Sequence, residues 1–204
     1  MTGMTRWTKL AVVGDSIAAG VREPAEGYED LSWTDRITRE LGTRTLNLGR
    51  RDLTARQVRE EQLLPALAFL PDLAIVVCGG NDAFQDEFDA DALAAELDLM
   101  VGSFREVGAD VLTLGLFDNV DAGLAGRRFQ EVFAPRLREL NRLTKEISAL
   151  RGAVFVDFSR HPAGTDPSIY AGDRIHLNAK GHAIVAEESL RRLAAHSVGR
   201  VSAT

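Results

Sequence analysis

Short apolar segments alternate with longer amphipathic segments along this chain, and no other feature of the sequence restricts the fold as strongly. The short segments are the length of strands and rich in branched residues, and most are almost continuously apolar. Strands that are covered on both faces have this composition, which is typical of a parallel sheet. The predicted strands are Leu10–Val13, Thr43–Leu48, Leu73–Cys78, Val111–Leu116 and Ala153–Phe158.

The longer segments repeat apolar residues at three- and four-residue spacing, as helices with one buried face do. Gly42, Gly108 and Gly152 follow three of them as helix-ending residues, and Asn178 is placed to cap the last. The predicted helices are Trp33–Leu41, Thr54–Leu67, Ala90–Val107, Phe129–Leu150 and Asn178–Ala195. Strands alternating with helices predict an α/β fold with a five-stranded parallel sheet.

The length of 204 residues suits one domain with one core, and no repeat or Pro/Gly-rich linker divides the chain. We therefore expect residues 1–204 to form a single domain. Two irregular stretches, Val21–Leu31 and Phe117–Arg128, interrupt the regular pattern. We expect both to line the functional site and to set its specificity, because long loops in compact domains are usually functional.

Charge and composition narrow the classes of partner and cofactor. The net charge of −6 argues against binding to nucleic acid or to an anionic membrane, so a small-molecule partner is expected. The single cysteine, Cys78, is expected in the core, and the four histidines form no zinc motif with it, so neither a metal nor another cofactor is predicted. The polar segment Met1–Lys9 has no features of a secretion signal, which predicts a cytoplasmic protein.

Polar and glycine residues follow several of the predicted strands. In open α/β sheets, ligands bind beyond the carboxyl ends of the strands, so these residues are expected to meet at one edge. The segments concerned are Gly14-Asp15-Ser16, Asn47-Leu48-Gly49, Gly79-Gly80-Asn81-Asp82 and, after the last strand and a loop, Asp173-Arg174-Ile175-His176.

Ser16 lies on a strand-to-helix turn, where its hydroxyl can project into a crevice as a nucleophile. A serine needs a base at neutral pH, and His176 is the best candidate because Asp173, three residues earlier, can orient its ring. Each residue also has a simpler interpretation. Ser16 can cap a turn, and Asp173 with His176 can form a loop ion pair.

A reaction at an acyl group also needs donors that stabilise a developing oxyanion. The Asn81 side-chain amide and the backbone N–H groups of Gly49 and Ser16 are the candidates, one from each of three strand ends. Asn81 can instead be a turn residue, and Gly49 can be required only for its backbone conformation.

The four segments resemble, in order and in type, the sequence blocks of the SGNH, or GDSL-like, hydrolases. The resemblance covers nearly the whole chain and includes the run Leu177–His182 that leads into the last predicted helix. It implies a three-layer αβα sandwich of flavodoxin-like type. It also implies a catalytic triad of Ser16, Asp173 and His176 and an oxyanion hole of Ser16, Gly49 and Asn81. The second block differs from the usual pattern, because Arg50 and Arg51 replace small residues.

The resemblance implies a serine esterase that acts on a small-molecule ester or an acylated sugar. An acyltransferase or a thioesterase can use the same triad, and a binding module that has lost its chemistry can keep the fold. Asp15 is a second carboxyl group beside Ser16, and it is expected to brace the turn rather than to complete the triad. The remaining histidines, His161, His182 and His196, have no comparable carboxylate and are expected to be structural.

Overall fold

A parallel five-stranded sheet forms the centre of the protein. The computed structural model describes residues 7–118, 120 and 122–201. Most of the N-terminal segment Met1–Lys9 therefore lies outside the described residues. The strands run in the order β2-β1-β3-β4-β5, and every neighbouring pair is parallel. They are β1 (Lys9–Gly14), β2 (Arg44–Asn47), β3 (Leu73–Val77), β4 (Asp110–Gly115) and β5 (Val154–Asp157).

Helices cover the two faces of this sheet. They are α1 (Trp33–Leu41), α2 (Ala55–Ala68), α3 (Gly80–Ala83), α4 (Ala90–Glu106), α5 (Ala134–Arg151) and α6 (Ala179–Val201). One core cluster joins the sheet to α2, α4 and α5, and the other joins it to α1 and α6. The α/β class, the three layers and the five-stranded parallel sheet are therefore confirmed. No helix in the described part of the chain combines the length and apolar character needed to cross a bilayer.

The predicted boundaries differ from the structure where a turn or a cap takes residues from a regular element. The single turn α3 was not predicted, because four residues are too few to show a helical period. Phe129–Phe133, predicted as the start of α5, forms a π-helical turn before the α-helix begins. Asn178 precedes α6, and its side-chain oxygen accepts hydrogen bonds from the N–H groups of Lys180 and Gly181, as expected of a cap.

Close packing between β1 and β3 sets the point at which β1 turns into the site. A Cβ atom on Gly14 would lie 1.9 Å from the carbonyl oxygen of Val77, so only glycine fits there. The buried Gln62 side chain from α2 accepts a hydrogen bond from the Gly14 N–H at 2.8 Å and donates to its carbonyl at 3.0 Å. The chain after Gly14 therefore leaves the sheet in one defined direction, towards Ser16.

Candidate active site

Ser16 lies on a tight turn that begins where β1 ends. The Asp15 side chain accepts a hydrogen bond from the Ile17 N–H at 3.0 Å, and its carbonyl accepts one from Ala19 at 2.9 Å. These bonds hold the turn without using the Ser16 hydroxyl. The Ser16 Oγ lies 2.8 Å from the Nε2 atom of His176, although 160 residues separate the two in the sequence.

The His176 ring is oriented by Asp173. Its Nδ1 atom lies 2.6 Å from Asp173 Oδ2, while Asp173 Oδ1 accepts hydrogen bonds from the Ile175 and His176 N–H groups, each at 2.9 Å. Partial burial raises the pKa of Asp173, but the hydrogen bonds from His176 and from these two N–H groups outweigh it, so the net shift is downward. The ionised carboxylate therefore accepts a hydrogen bond from Nδ1–H, which keeps the ring proton on Nδ1 and leaves Nε2 to accept from the Ser16 hydroxyl.

The loop that carries Asp173 and His176 is attached to the irregular stretch after Ser16. The Glu23 carboxylate accepts a hydrogen bond from the Gly172 N–H at 2.9 Å, and the Glu23 carbonyl accepts one from Ala179 at 2.8 Å. Arg174 has a left-handed backbone with a φ of 61°, which turns the chain between Asp173 and His176. The interactions of this loop therefore place the His176 ring over the Ser16 turn.

Two of the three residues predicted to supply oxyanion donors belong to the cavity wall. Ser16 and Asn81 both line the cavity beside His176. The Asn81 amide donates one hydrogen bond to the Leu53 carbonyl at 2.9 Å, which fixes its orientation. An amide nitrogen carries two hydrogens, so one donor of Asn81 remains for a ligand.

The structure does not place the Gly49 N–H at the site as predicted. This group donates to the side-chain oxygen of Asn47 at 2.8 Å, and Gly49 does not line the cavity. A Cβ atom on Gly49 would lie 2.4 Å from the Ala19 nitrogen and 2.5 Å from the Ala18 carbonyl carbon. Glycine is therefore required at this position because β2 passes close to the Ser16 turn.

Asp52, which was not predicted as a site residue, lines the cavity where Gly49 was expected. It lines the cavity with Ser16 and Asn81, and it has a left-handed backbone with a φ of 65°. Within residues 7–118, 120 and 122–201, no hydrogen bond uses its N–H group. The following residue, Leu53, provides the carbonyl that accepts the Asn81 hydrogen bond, so Asp52 directly precedes the residue that orients Asn81.

The arginines after Gly49 do not reach the cavity. Arg50 forms an exposed ion pair with Glu61, and Arg51 is exposed to solvent. Neither lines the cavity beside Ser16. Arg50 and Arg51, at which the second block departs from the usual pattern, therefore form no part of the cavity wall.

Both irregular stretches contribute to the cavity, as expected. Val21 comes from the first stretch and Phe117 from the second, where Asn119 and Asp121 lie outside the described residues. The cavity has a volume of about 270 Å³ and contains Ser16 and His176 in its wall.

Among the residues that the structure describes, no three His, Cys, Asp or Glu side chains are grouped to hold a metal ion.

His182 also lines the cavity, but both of its ring nitrogens are engaged in the fold. Nδ1 accepts from the Trp33 N–H at 3.0 Å, and Nε2 lies 3.2 Å from the Val21 carbonyl, to which it donates. Burial lowers the pKa of this histidine to about 4. His182 is therefore a neutral structural residue at pH 7, and it joins α6 to α1 and to the loop after Ser16.

This burial predicts a stability that depends on pH through His182. The unfolded chain binds a proton on this residue below its ordinary pKa of 6.5, whereas the folded chain does so only near pH 4. Unfolding therefore takes up a proton in this window, and acid destabilises the fold. We expect the stability advantage of the unmodified protein over His182→Asn to shrink by about 2 kcal/mol between pH 7 and pH 5. Urea unfolding measures this difference, and a constant difference would contradict the prediction.

The chain matches the model of the GDSL-like lipase/acylhydrolase family over residues 12–184. No curated protein matches it. An acetylxylan esterase from Geobacillus stearothermophilus has a similar solved structure, with a TM-score of 0.72 and 23% identity over 91% of this chain and 93% of that one. An alpha/beta hydrolase enzyme from the metagenome of Lake Arreo, Spain, gives a TM-score of 0.72 and 21% identity over 93% of this chain and 97% of that one.

At these identities the two solved structures show a shared fold. Other structures of the Geobacillus acetylxylan esterase are catalytic mutants in which a serine, an aspartate or a histidine of that enzyme is replaced by alanine. The family match goes beyond the fold, because it is a match of the sequence itself over most of the chain and includes both Ser16 and His176. This chain belongs to the GDSL-like lipase/acylhydrolase family and is a serine hydrolase that acts on ester bonds.

Proposed function

We propose that this hydrolase cleaves a carboxylic ester of a small molecule or an acylated sugar by means of a Ser16–His176–Asp173 triad and an acyl-enzyme intermediate. The observation that carries the proposal is the continuous series of hydrogen bonds from Asp173 through His176 to Ser16, with distances of 2.6 and 2.8 Å. The serine, aspartate and histidine replaced in the catalytic mutants of the acetylxylan esterase are the same three residue types.

In the first half of the reaction, His176 Nε2 takes the hydroxyl proton as Ser16 Oγ attacks the ester carbonyl carbon. Asp173 stabilises the imidazolium that forms, because its carboxylate already accepts a hydrogen bond from Nδ1. When the tetrahedral intermediate collapses, the bond to the alcohol oxygen breaks and His176 returns the proton to that oxygen. The alcohol leaves, and the acyl group stays bonded to Ser16.

The developing oxyanion is stabilised by donors that are already in place. The N–H of Ser16 and the second hydrogen of the Asn81 amide are two of them, and the N–H of Asp52 is the third in place of Gly49. Support for this assignment comes from their positions in the same cavity wall and from the engagement of the Gly49 N–H with Asn47. Donors of this kind each contribute about 10²–10³-fold to kcat in serine hydrolases.

In the second half, water attacks the acyl-enzyme and His176 again acts as the base. The new tetrahedral intermediate releases the carboxylic acid, and the Ser16 hydroxyl regains its proton. An acyltransferase would use an alcohol acceptor in place of this water, and a thioesterase would begin from a thioester, both with the same triad. A small-molecule ester as partner and a cytoplasmic location both remain predictions from the sequence.

A fluorophosphonate probe tests the nucleophile directly, since it phosphonylates only an activated serine. We expect one equivalent of probe on the folded protein, located at Ser16 by peptide mass spectrometry, and none on urea-unfolded protein. Labelling of folded protein that does not include Ser16, or no labelling at all, would contradict the triad and favour a binding module. Competition between water and an added alcohol acceptor during turnover separates an esterase from an acyltransferase.

A further inference from the structure

We propose that the cavity beside Ser16 is an acyl pocket for an unbranched apolar acyl group of about six to eight carbons, an inference that depends on the proposed role of Ser16. The ester bond is thereby assigned to a medium-chain fatty acyl group rather than to acetate.

The buried end of the cavity is apolar. Trp33, Leu114, Phe158 and Val185 line it, and each also belongs to the core cluster between the sheet and helices α1 and α6. Each is at most 5% exposed. The cavity therefore continues from Ser16 into the apolar interior, where a hydrocarbon chain is favoured.

Each polar side chain at this end already forms at least one hydrogen bond within the protein. Both ring nitrogens of His182 are bonded to backbone groups, and the Tyr170 hydroxyl donates to the Gly164 carbonyl at 3.1 Å. Asp15 accepts the Ile17 N–H, and its carboxyl group disfavours an anionic acyl group. A sugar or a charged acyl group placed here would lose its hydration without new partners, which is costly.

The volume limits the length of the chain. A cavity of roughly 150 Å³ accommodates one benzene ring, with its six carbons. In proportion, the cavity of about 270 Å³ accommodates about eleven heavy atoms. The two ester oxygens and the first atom of the alcohol occupy about three of these, which leaves about eight for the acyl carbons, the carbonyl carbon included.

The alcohol part of the substrate has a different path. Ile175 is 52% exposed, and Asp52 is also exposed, so these two residues mark the open side of the cavity. An alcohol group that points this way remains in contact with water. The pocket therefore selects the acyl group and leaves the alcohol, a sugar included, largely unspecified.

The test is the chain-length dependence of kcat/KM for p-nitrophenyl esters from acetate to dodecanoate, measured below their aggregation concentrations. Each methylene that is buried favours the reaction by up to about fourfold. We expect kcat/KM to rise on the order of 10²-fold from butanoate to octanoate and then to level off or fall. A maximum at acetate, or no dependence on length, would overturn the proposal.

Two substitutions at Val185 test the position of the pocket in opposite directions. Val185→Phe fills the buried end and is expected to lower the octanoate-to-butanoate ratio of kcat/KM at least about tenfold. Val185→Ala enlarges the same end and is expected to raise the decanoate-to-hexanoate ratio. Val107→Phe is the matched control, because Val107 is 53% exposed at the end of α4, and both ratios should stay unchanged.

Circular dichroism and thermal unfolding show whether each variant is folded. If Val185→Phe does not fold, Val185→Ala still tests the position of the pocket. Failure of this inference and failure of the proposed function give different results. If only the pocket is wrong, hydrolysis depends on Ser16 but prefers acetate or ignores Val185. If the triad is wrong, Ser16→Ala retains hydrolysis whatever the chain length.

Discussion

Replacing Ser16 with alanine is expected to lower kcat for ester hydrolysis by at least about 10³-fold while the protein stays folded. The substitution removes the oxygen that would form the acyl-enzyme. The activity that remains would come from the oxyanion donors and from binding alone. The fold should tolerate the change, because the Ser16 turn is held by Asp15 and by backbone hydrogen bonds rather than by the hydroxyl.

Steady-state hydrolysis of p-nitrophenyl butanoate measures this loss, and circular dichroism with thermal unfolding verifies the fold. Ser103→Ala is a suitable control, since Ser103 lies on α4 and its hydroxyl donates only to the Leu99 carbonyl one turn earlier. The control should keep full activity. If a pure, folded Ser16→Ala preparation hydrolysed the ester at the unmodified rate, Ser16 would not be the nucleophile.

Replacing Asp173 with asparagine is expected to lower kcat by a factor of about 10² to 10⁴. An asparagine amide can donate to Nδ1, which places the ring proton on Nε2 and removes the base that Ser16 needs. The Asp173 side chain is 45% exposed, so water can partly replace the carboxylate. We therefore expect a loss nearer the lower end of this range.

Asp15→Asn is the matched control, because Asp15 is the other carboxyl group beside Ser16. Burial raises the pKa of Asp15 to about 7, and the Asp15 oxygen that accepts the Ile17 N–H has an equivalent in asparagine. This variant should lose less than about tenfold in kcat. A larger loss in Asp15→Asn than in Asp173→Asn would make Asp15 the more important carboxyl group. It would also remove Asp173 from the proposed triad.

The pairing of His176 with Asp173 illustrates what a sequence can predict about a site. The two residues are three positions apart, so their contact depends on one turn of backbone and not on the rest of the fold. Ser16 is far from them in the sequence, but it follows β1, and the loop that carries Asp173 and His176 follows β5 of the same parallel sheet. The rule that ligands bind at the carboxyl ends of parallel strands was enough to predict that Ser16 and His176 meet.

The Gly49 prediction shows where this reasoning fails. Asn47, Leu48 and Gly49 have the residue types of the family block, but the use of a single N–H group depends on its nearest acceptor. That acceptor is the Asn47 side chain, only two residues away. Asp52 was missed because a left-handed backbone is more common for glycine than for aspartate, and no local pattern marks this aspartate as the residue that adopts it.

The sequence by itself determined the α/β class, the five strands, most helix positions and the residues that follow each strand. These properties depend on local periodicity and on short-range chemistry, which are present in the order of residues. Only the tertiary structure decided which N–H groups face the cavity, how deep the cavity is and which polar atoms along it are already bonded. Those properties arise where Trp33, Leu114, Phe158 and Val185 meet from distant parts of the chain, so no local pattern encodes them.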